Sequence, residues 1–205
     1  MALAVRPEDI LKARVIDYLI DQFEGVVIGN EITYGSSRKL VDLLALYNGE
    51  TYAIEIKSSK DDLRRILEQI AEYAKIFDHT CVFTTNEHYL KIKNLAGTNI
   101  SLFVIDSDNN IKGKFRTKKN RVIKMEMLAT INASYISKGL RILKYKDSDD
   151  IRRKAMKQSK EDIHRFLYNY FLEKCLLPYK LFLEERTDRT DIDDLVILSN
   201  RVNVE

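Results

Sequence analysis

Two cysteines, three histidines and seven scattered glycines are all that 205 residues supply of the side chains most common in metal and nucleotide sites. Zinc fingers need close Cys–Cys and His–His pairs, and Cys81, Cys175, His79, His88 and His164 form none. The histidines are expected at surface or partly buried positions rather than as ligands. A phosphate-binding loop needs Gly-Lys-Ser or Gly-Lys-Thr; neither occurs, so energy-driven remodelling would need a partner. Two cysteines do not indicate a disulfide framework, and Cys81, within Thr80-Cys81-Val82-Phe83, is expected to fill core. No apolar run approaches the roughly 18 residues of a membrane span. Met1 to Arg6 lacks the charged start and long apolar centre of a signal peptide, so the expected compartment is the cytoplasm. Internal repeats and low-complexity tracts are also missing.

What is present is ordinary for a soluble protein: 45% apolar and 32% charged residues, enough for one domain of about 100 to 150 residues plus an extension. The net charge of +3 conceals an asymmetry. Residues 1–110 hold 12 Lys and Arg against 17 Asp and Glu, and residues 111–205 hold 22 against 14. The densest basic run is Lys112, Lys114, Arg116, Lys118, Lys119, Arg121 and Lys124, with Phe115 among them. Such a run either contacts a phosphate backbone, with Lys114, Arg116, Lys118 and Lys119 as the candidates, or is a solvated connection between domains. The composition shift, marked by Asp108-Asn109-Asn110 and Gly113, predicts a boundary near residue 110, with residues 1–110 as one domain and 111–205 as a basic, mainly helical region.

Periodicity predicts the elements. Ile10, Leu11, Val15, Tyr18, Leu19 and Phe23 recur at helical spacing over 7–24, with Pro7 at the start and Gly25 at the end. Strands are predicted at 26–34, 40–47 and 50–57, and a helix over 63–77. Further strands at 80–85 and 100–105 flank a short helix at 87–94, which predicts an α/β fold with a mixed sheet between helices. Helical stripes follow at 123–137, 148–157, 159–174 and 179–187.

The chemistry concentrates in one hairpin. Asn48-Gly49 between two apolar runs is the strongest two-residue hairpin signal, and it makes Tyr47 face Glu50. Continuing that register sets Asp42 opposite Glu55, where like charges on β-carbons roughly 4.5–5.5 Å apart repel. A hard divalent ion between them, held with water and phosphate oxygens, removes the repulsion. Alternation puts Glu55 and Lys57 on one face and Ile54 and Ile56 on the other, so Lys57 is expected beside the pair, where it orients water or offsets phosphate charge. The following helix adds Gln69 and Tyr73, one turn apart on one face.

Asp42, a spacer of 12 residues and Glu55-Ile56-Lys57 resemble the signature of the PD-(D/E)XK phosphodiesterase superfamily. Gln69-Ile70-Ala71-Glu72-Tyr73 resembles the helix motif of its RecB-like branch. The stretch from Glu55 through Ser58-Ser59-Lys60-Asp61-Asp62-Leu63-Arg64-Arg65 to Phe77-Asp78 is similar to a family of small bacterial and phage proteins within it, and the likeness covers roughly residues 7–105. Val41 stands where the superfamily name has proline, which leaves the chemistry intact because only the carboxylate is needed. The resemblance implies a restriction-endonuclease-like core and hydrolysis of a nucleic-acid phosphodiester, DNA foremost, with Mg2+ or Mn2+. It implies Asp42 and Glu55 as metal ligands, Lys57 assisting the water, Gln69 orienting the phosphate or Lys57, and Tyr73 in support. Glu31 is the preferred third carboxylate, with Glu24 or Asp17 on the preceding helix as the alternative. The other reading is a nucleic-acid-binding module, inactive or dependent on a partner in a phage, restriction or repair assembly. A homodimer or a protein partner is compatible with either.

Overall fold

A computed structural model describes residues 6–199. The chain begins with α1 (Pro7–Gln22) and continues through β1 (Val27–Tyr34), β2 (Lys39–Tyr47), β3 (Glu50–Lys57), α2 (Ile66–Tyr73), β4 (His79–Thr85), α3 (Asn86–Ala96), β5 (Ser101–Ile105) and β6 (Ile111–Gly113). Beyond these come α4 (Lys124–Thr130), α5 (Ala133–Gly139), α6 (Ser148–Ala155), α7 (Lys160–Glu185) and α8 (Asp194–Ile197). The six strands lie side by side in chain order. Strands β1, β2 and β3 are antiparallel, β3, β4 and β5 are parallel through the crossover helices α2 and α3, and β6 returns antiparallel. The fold is α/β, a mixed sheet flanked by helices with a mainly helical C-terminal part, as expected.

The hairpin forms at Asn48-Gly49, both at positive φ (50° and 76°), the conformation a tight two-residue turn requires. Tyr47 pairs with Glu50 and the register runs unbroken to Leu43 opposite Ile54. In β1 the pairing skips Glu31, whose φ of 51° lies in the left-handed region. Parity changes there: Ile28 packs on one face of the sheet, Ile32 and Tyr34 on the other.

Three clusters fill the interior. One face of the sheet, with Leu44, Leu46 and Ala53, packs against Tyr73 and Phe77 and against Met127, Leu128, Ile163, Leu167 and Phe171 from α4 and α7. The other face, with Leu43, Ile54, Ile56 and Phe83, packs against Val15, Ile16 and Leu19 of α1 and against Tyr179 and Phe182. A smaller cluster seats α2 and α3 on Val82. Because α7 contributes to both large clusters, it wraps the β1 edge, and Asn30 there bridges to Ser199. Residue 110 is thus where composition changes and not where packing does: the predicted domains 1–110 and 111–205 share their cores.

Four expectations needed revision, the first being the stripe over 123–137, which gives two helices, α4 and α5, separated at Ile131 and Asn132. The stripe over 63–77 gives a helix only from Ile66 to Tyr73, with 58–65 forming the loop that follows β3. The separate helices predicted at 159–174 and 179–187 are one, α7, which continues through Pro178. Proline removes one ladder bond, and the burial of Tyr170, Phe171, Cys175, Tyr179 and Phe182 on either side holds the helix together. Strand β6 lies in what read as a turn.

Candidate functional site

The parallel pairing of β3 with β4 carries β3 past the point where β2 leaves it, and the charged residues sit at that end. Beyond the Leu43–Ile54 pair, the Asp42 carboxylate takes the place of a backbone acceptor: its Oδ2 accepts the Ile56 N–H at 2.8 Å. Thr84 on β4 holds the end of β3 by donating to the Lys57 carbonyl at 3.0 Å. Alternation then delivers Glu55 and Lys57 to the face covered by α2. Lys57 Nζ donates to Glu55 Oε1 at 2.7 Å, the Gln69 side-chain amide donates to the same oxygen, and the Tyr73 hydroxyl donates to Oε2. Gln69 and Tyr73 reach one carboxylate because residues four apart share a helix face. Asp42, Glu55, Lys57, Gln69 and Tyr73 are therefore gathered in one place.

Helix α1 adds two residues that the sequence reading missed. Lys12 is buried, 1% exposed, with its ammonium 3.1 Å from Glu8 and 3.7 Å from Glu31. Arg6 lies 4.0 Å from the same Glu31 oxygen. The available signal was a lysine on the apolar stripe of α1, four residues after a glutamate, since Lys is almost never buried unpaired. Glu31 itself follows from β1, across from Asp42 in the β1–β2 register, and its backbone conformation is of the kind that clusters at functional sites. The alternatives on α1 lie elsewhere. Asp17 accepts from Thr190 N–H and Oγ1 at 3.0 and 2.7 Å and pairs with Arg186 at 2.8 Å, while Glu24 is exposed beyond the far end of the helix.

The electrostatics follow from burial and crowding. Burial first, and the Glu55 charge second, push the Asp42 carboxyl up to about 7, against the opposing pull of Lys12 and of the Ile56 N–H. For Lys57 burial favours the neutral amine, but the Glu55 carboxylate outweighs it and holds the pKa above the usual lysine value. Lys57 is therefore an ammonium at neutral pH. Burial and Glu55 raise Tyr73 as well, so it remains a hydroxyl donor.

Asp42 and Glu55 offer oxygen only, which suits a hard cation, and such a cation would offset both the burial and the Glu55 charge that push the Asp42 carboxyl up. Among the described residues no three His, Cys, Asp or Glu side chains gather in a metal-holding group. The pair therefore fits an ion completed by water and phosphate oxygens, with Glu31 engaged by Lys12.

The basic run is not part of this cluster. Lys119 pairs with Glu50 at 2.8 Å, and Asn120 N–H donates to the Asp78 carbonyl at 2.7 Å, both at the end where β3 and β4 begin. Five residues of strand, roughly 17 Å, separate Glu50 from Glu55. Arg116 donates to the Asn99 carbonyl, and Lys114 and Lys118 are exposed. The structure does not bring Lys114, Arg116, Lys118 and Lys119, the candidate phosphate contacts, into the cluster around Glu55. The cations nearest in chain to Lys57 are Lys60, Arg64 and Arg65, all exposed on the loop before α2. At the Glu50 end His79 meets Glu50 at 2.8 Å and His164 meets Asp78 at 2.7 Å. Cys81 and Cys175 are free and buried.

These features define an α/β protein with a polar cluster at the C-terminal end of a central strand. The chain belongs to the bacteriophage P4 protein cII family, whose profile matches residues 1–199. No curated protein matches the sequence. Among solved structures it is similar to a protein of unknown function, AF1548, at 12% identity over 80% of this chain and 97% of that one, with a TM-score of 0.34. It is also similar to Pyrococcus furiosus SfsA in complex with Ca2+, at 15% identity over 57% of this chain and 62% of that one, with a TM-score of 0.31. Among the described residues no helix is long and apolar enough to cross a membrane.

Proposed function

We propose that this chain is a divalent-metal-dependent nuclease with a restriction-endonuclease-like core, hydrolysing phosphodiester bonds of DNA. The observation that carries the reading is the convergence of Lys57, Gln69 and Tyr73 on the buried Glu55 carboxylate, beside a half-buried Asp42 docked on the same strand. A purely structural sheet has little reason to bury one carboxylate and set a second, half-buried one beside it. The order helix, three antiparallel strands, helix and parallel strand also agrees with the PD-(D/E)XK resemblance.

Asp42 and Glu55 would hold Mg2+ or Mn2+, which supplies a Lewis acid and an activated water to the reaction. Tyr73 fixes one Glu55 oxygen, while Gln69 and Lys57 meet the other, so the carboxylate is held in one orientation before substrate arrives. Lys57, as an ammonium, offsets the negative charge that builds on the phosphate and orients the attacking water rather than removing its proton. Lys60, Arg64 and Arg65, exposed on the loop that follows Lys57, are the cations this reading assigns to phosphate-backbone contacts.

Occupation of both Glu55 oxygens by protein donors favours a second reading, a nucleic-acid-binding module that is inactive or awaits a partner. Calorimetry separates the two. The nuclease reading expects Mn2+ to bind the parent and to bind Asp42→Asn at least roughly tenfold more weakly, since one of two ligands is lost. Equal heats for both proteins, with DNA affinity retained without divalent ions, would favour the binding module.

A further inference from the structure

The basic run lies away from the proposed site, yet it is held firmly. Its backbone is tied by Arg116 N–H to Ser101 Oγ at 3.0 Å, Asn120 N–H to Asp78 O at 2.7 Å and Ile123 N–H to Lys75 O at 2.7 Å. The Asn120 side chain adds a bond to the Phe77 carbonyl at 3.0 Å. A solvated linker needs no such anchoring. The run forms one wall of a trough of about 420 Å³ whose other walls are α2 and α3.

The floor and rim of that trough differ in kind. Leu67 and Ala71 of α2 and Ala74 just past its end, spaced i, i+4 and i+7, line it from the face turned away from Gln69 and Tyr73, and Leu95 lines it from α3. Leu67 and Leu95, each 46% exposed, flank one depression and together form its apolar floor. The rim carries Arg116, Lys118, Lys119 and Arg121 and no acidic residue. Lys118 and Arg121 are exposed and form no ion pair among the described residues.

We infer that this trough is a docking site for an acidic, amphipathic peptide segment of a protein partner. Charge complementarity selects an acidic occupant, and the floor decides its kind. Single-stranded nucleic acid bound without sequence preference uses aromatic platforms for its bases, and no aromatic residue lines the trough. A sugar-phosphate backbone pressed on leucine and alanine would lose water without gaining partners. An amphipathic helix lays its apolar stripe on such a floor and turns its carboxylates to the rim. The anchored rim lowers the ordering cost of binding. The inference is independent of the nuclease reading, because the trough uses the opposite face of α2.

The test is selection from a phage-displayed library of random 16-residue peptides against the immobilised full chain, followed by affinity measurement on the enriched peptides. Enriched peptides are expected to be acidic, with apolar residues at i, i+3 or i+4, and i+7. Their affinity should fall roughly tenfold or more, the scale of a central contact, in Leu67→Glu/Leu95→Glu and in Lys118→Glu/Arg121→Glu. It should be unchanged in Glu55→Ala. Circular dichroism checks that the variants fold, and Leu67→Ser/Leu95→Ser replaces the charged pair if that pair does not. The inference is overturned by an absence of enrichment, by peptides lacking the acidic and apolar pattern, or by undiminished binding to the variants. Displacement of the peptides by an oligomer of 15 thymidines would overturn it too, and would assign the trough to nucleic acid.

Discussion

Asp42 is the residue at which structure and proposed chemistry can be weighed together. Its folded pKa of about 7 lies above the ordinary carboxylate value near 3.9, so between those pH values the folded chain keeps a proton that the unfolded chain has released. The sign follows: this group's contribution to stability is fully present below about pH 4 and is lost as pH rises through about 7. Asp42→Asn should match the parent near pH 4 and exceed it at pH 8, by a few kcal/mol at most on the order-of-magnitude scale of the shift. Urea unfolding across that range measures it, and parallel pH profiles for the two proteins would refute the electrostatic picture. The residues of the site were unequally legible. Asp42, Glu55, Lys57, Gln69 and Tyr73 were readable because a two-residue turn fixes strand register and a helix fixes i, i+4 geometry, both local rules. Glu8 and Lys12 were not, because their meeting with Glu31 depends on how α1 crosses the end of the sheet, which no local pattern encodes.

Among the elements, β1 and α7 show what local reading misses. The strand boundaries followed alternation closely, but the break at Glu31 arises from the demands of two different faces. The continuity of α7 through Pro178 is set by packing on the sheet edge rather than by helix propensity. The contact between the two elements is tight: a β-carbon added at Gly29 would lie 2.7 Å from Cys175 Sγ and 2.8 Å from Ile32. Gly29→Ala should therefore destabilise the fold by about 1–3 kcal/mol, the usual cost of overpacking. Cys175→Ala removes the sulfur from the same spot, so the double variant should be less destabilised than the sum of the single ones. Additive losses in chemical denaturation would show that α7 does not press on β1 there.

Across the whole molecule the charged groups divide between the two ends of the central strand β3. One end of β3 carries Asp42, Glu55 and Lys57, and the other carries Glu50, Asp78 and the basic run. The charge asymmetry of the two halves was legible in the sequence, but its placement was not. The basic run returns to the start of β3 through β6, a strand of three residues too short to leave a periodic signal. The central claim is that the Glu55 cluster hydrolyses phosphodiesters, and it is tested most directly by single-turnover cleavage of end-labelled DNA at saturating protein, with Mg2+ or Mn2+. The parent should cut, excess chelator should stop it, and Glu55→Gln and Lys57→Ala should each lose roughly a hundredfold or more in rate, as removal of one preorganised charge does elsewhere, while retaining parental circular dichroism. Absence of metal-dependent cleavage by the parent, or undiminished rates in both variants, would contradict the account.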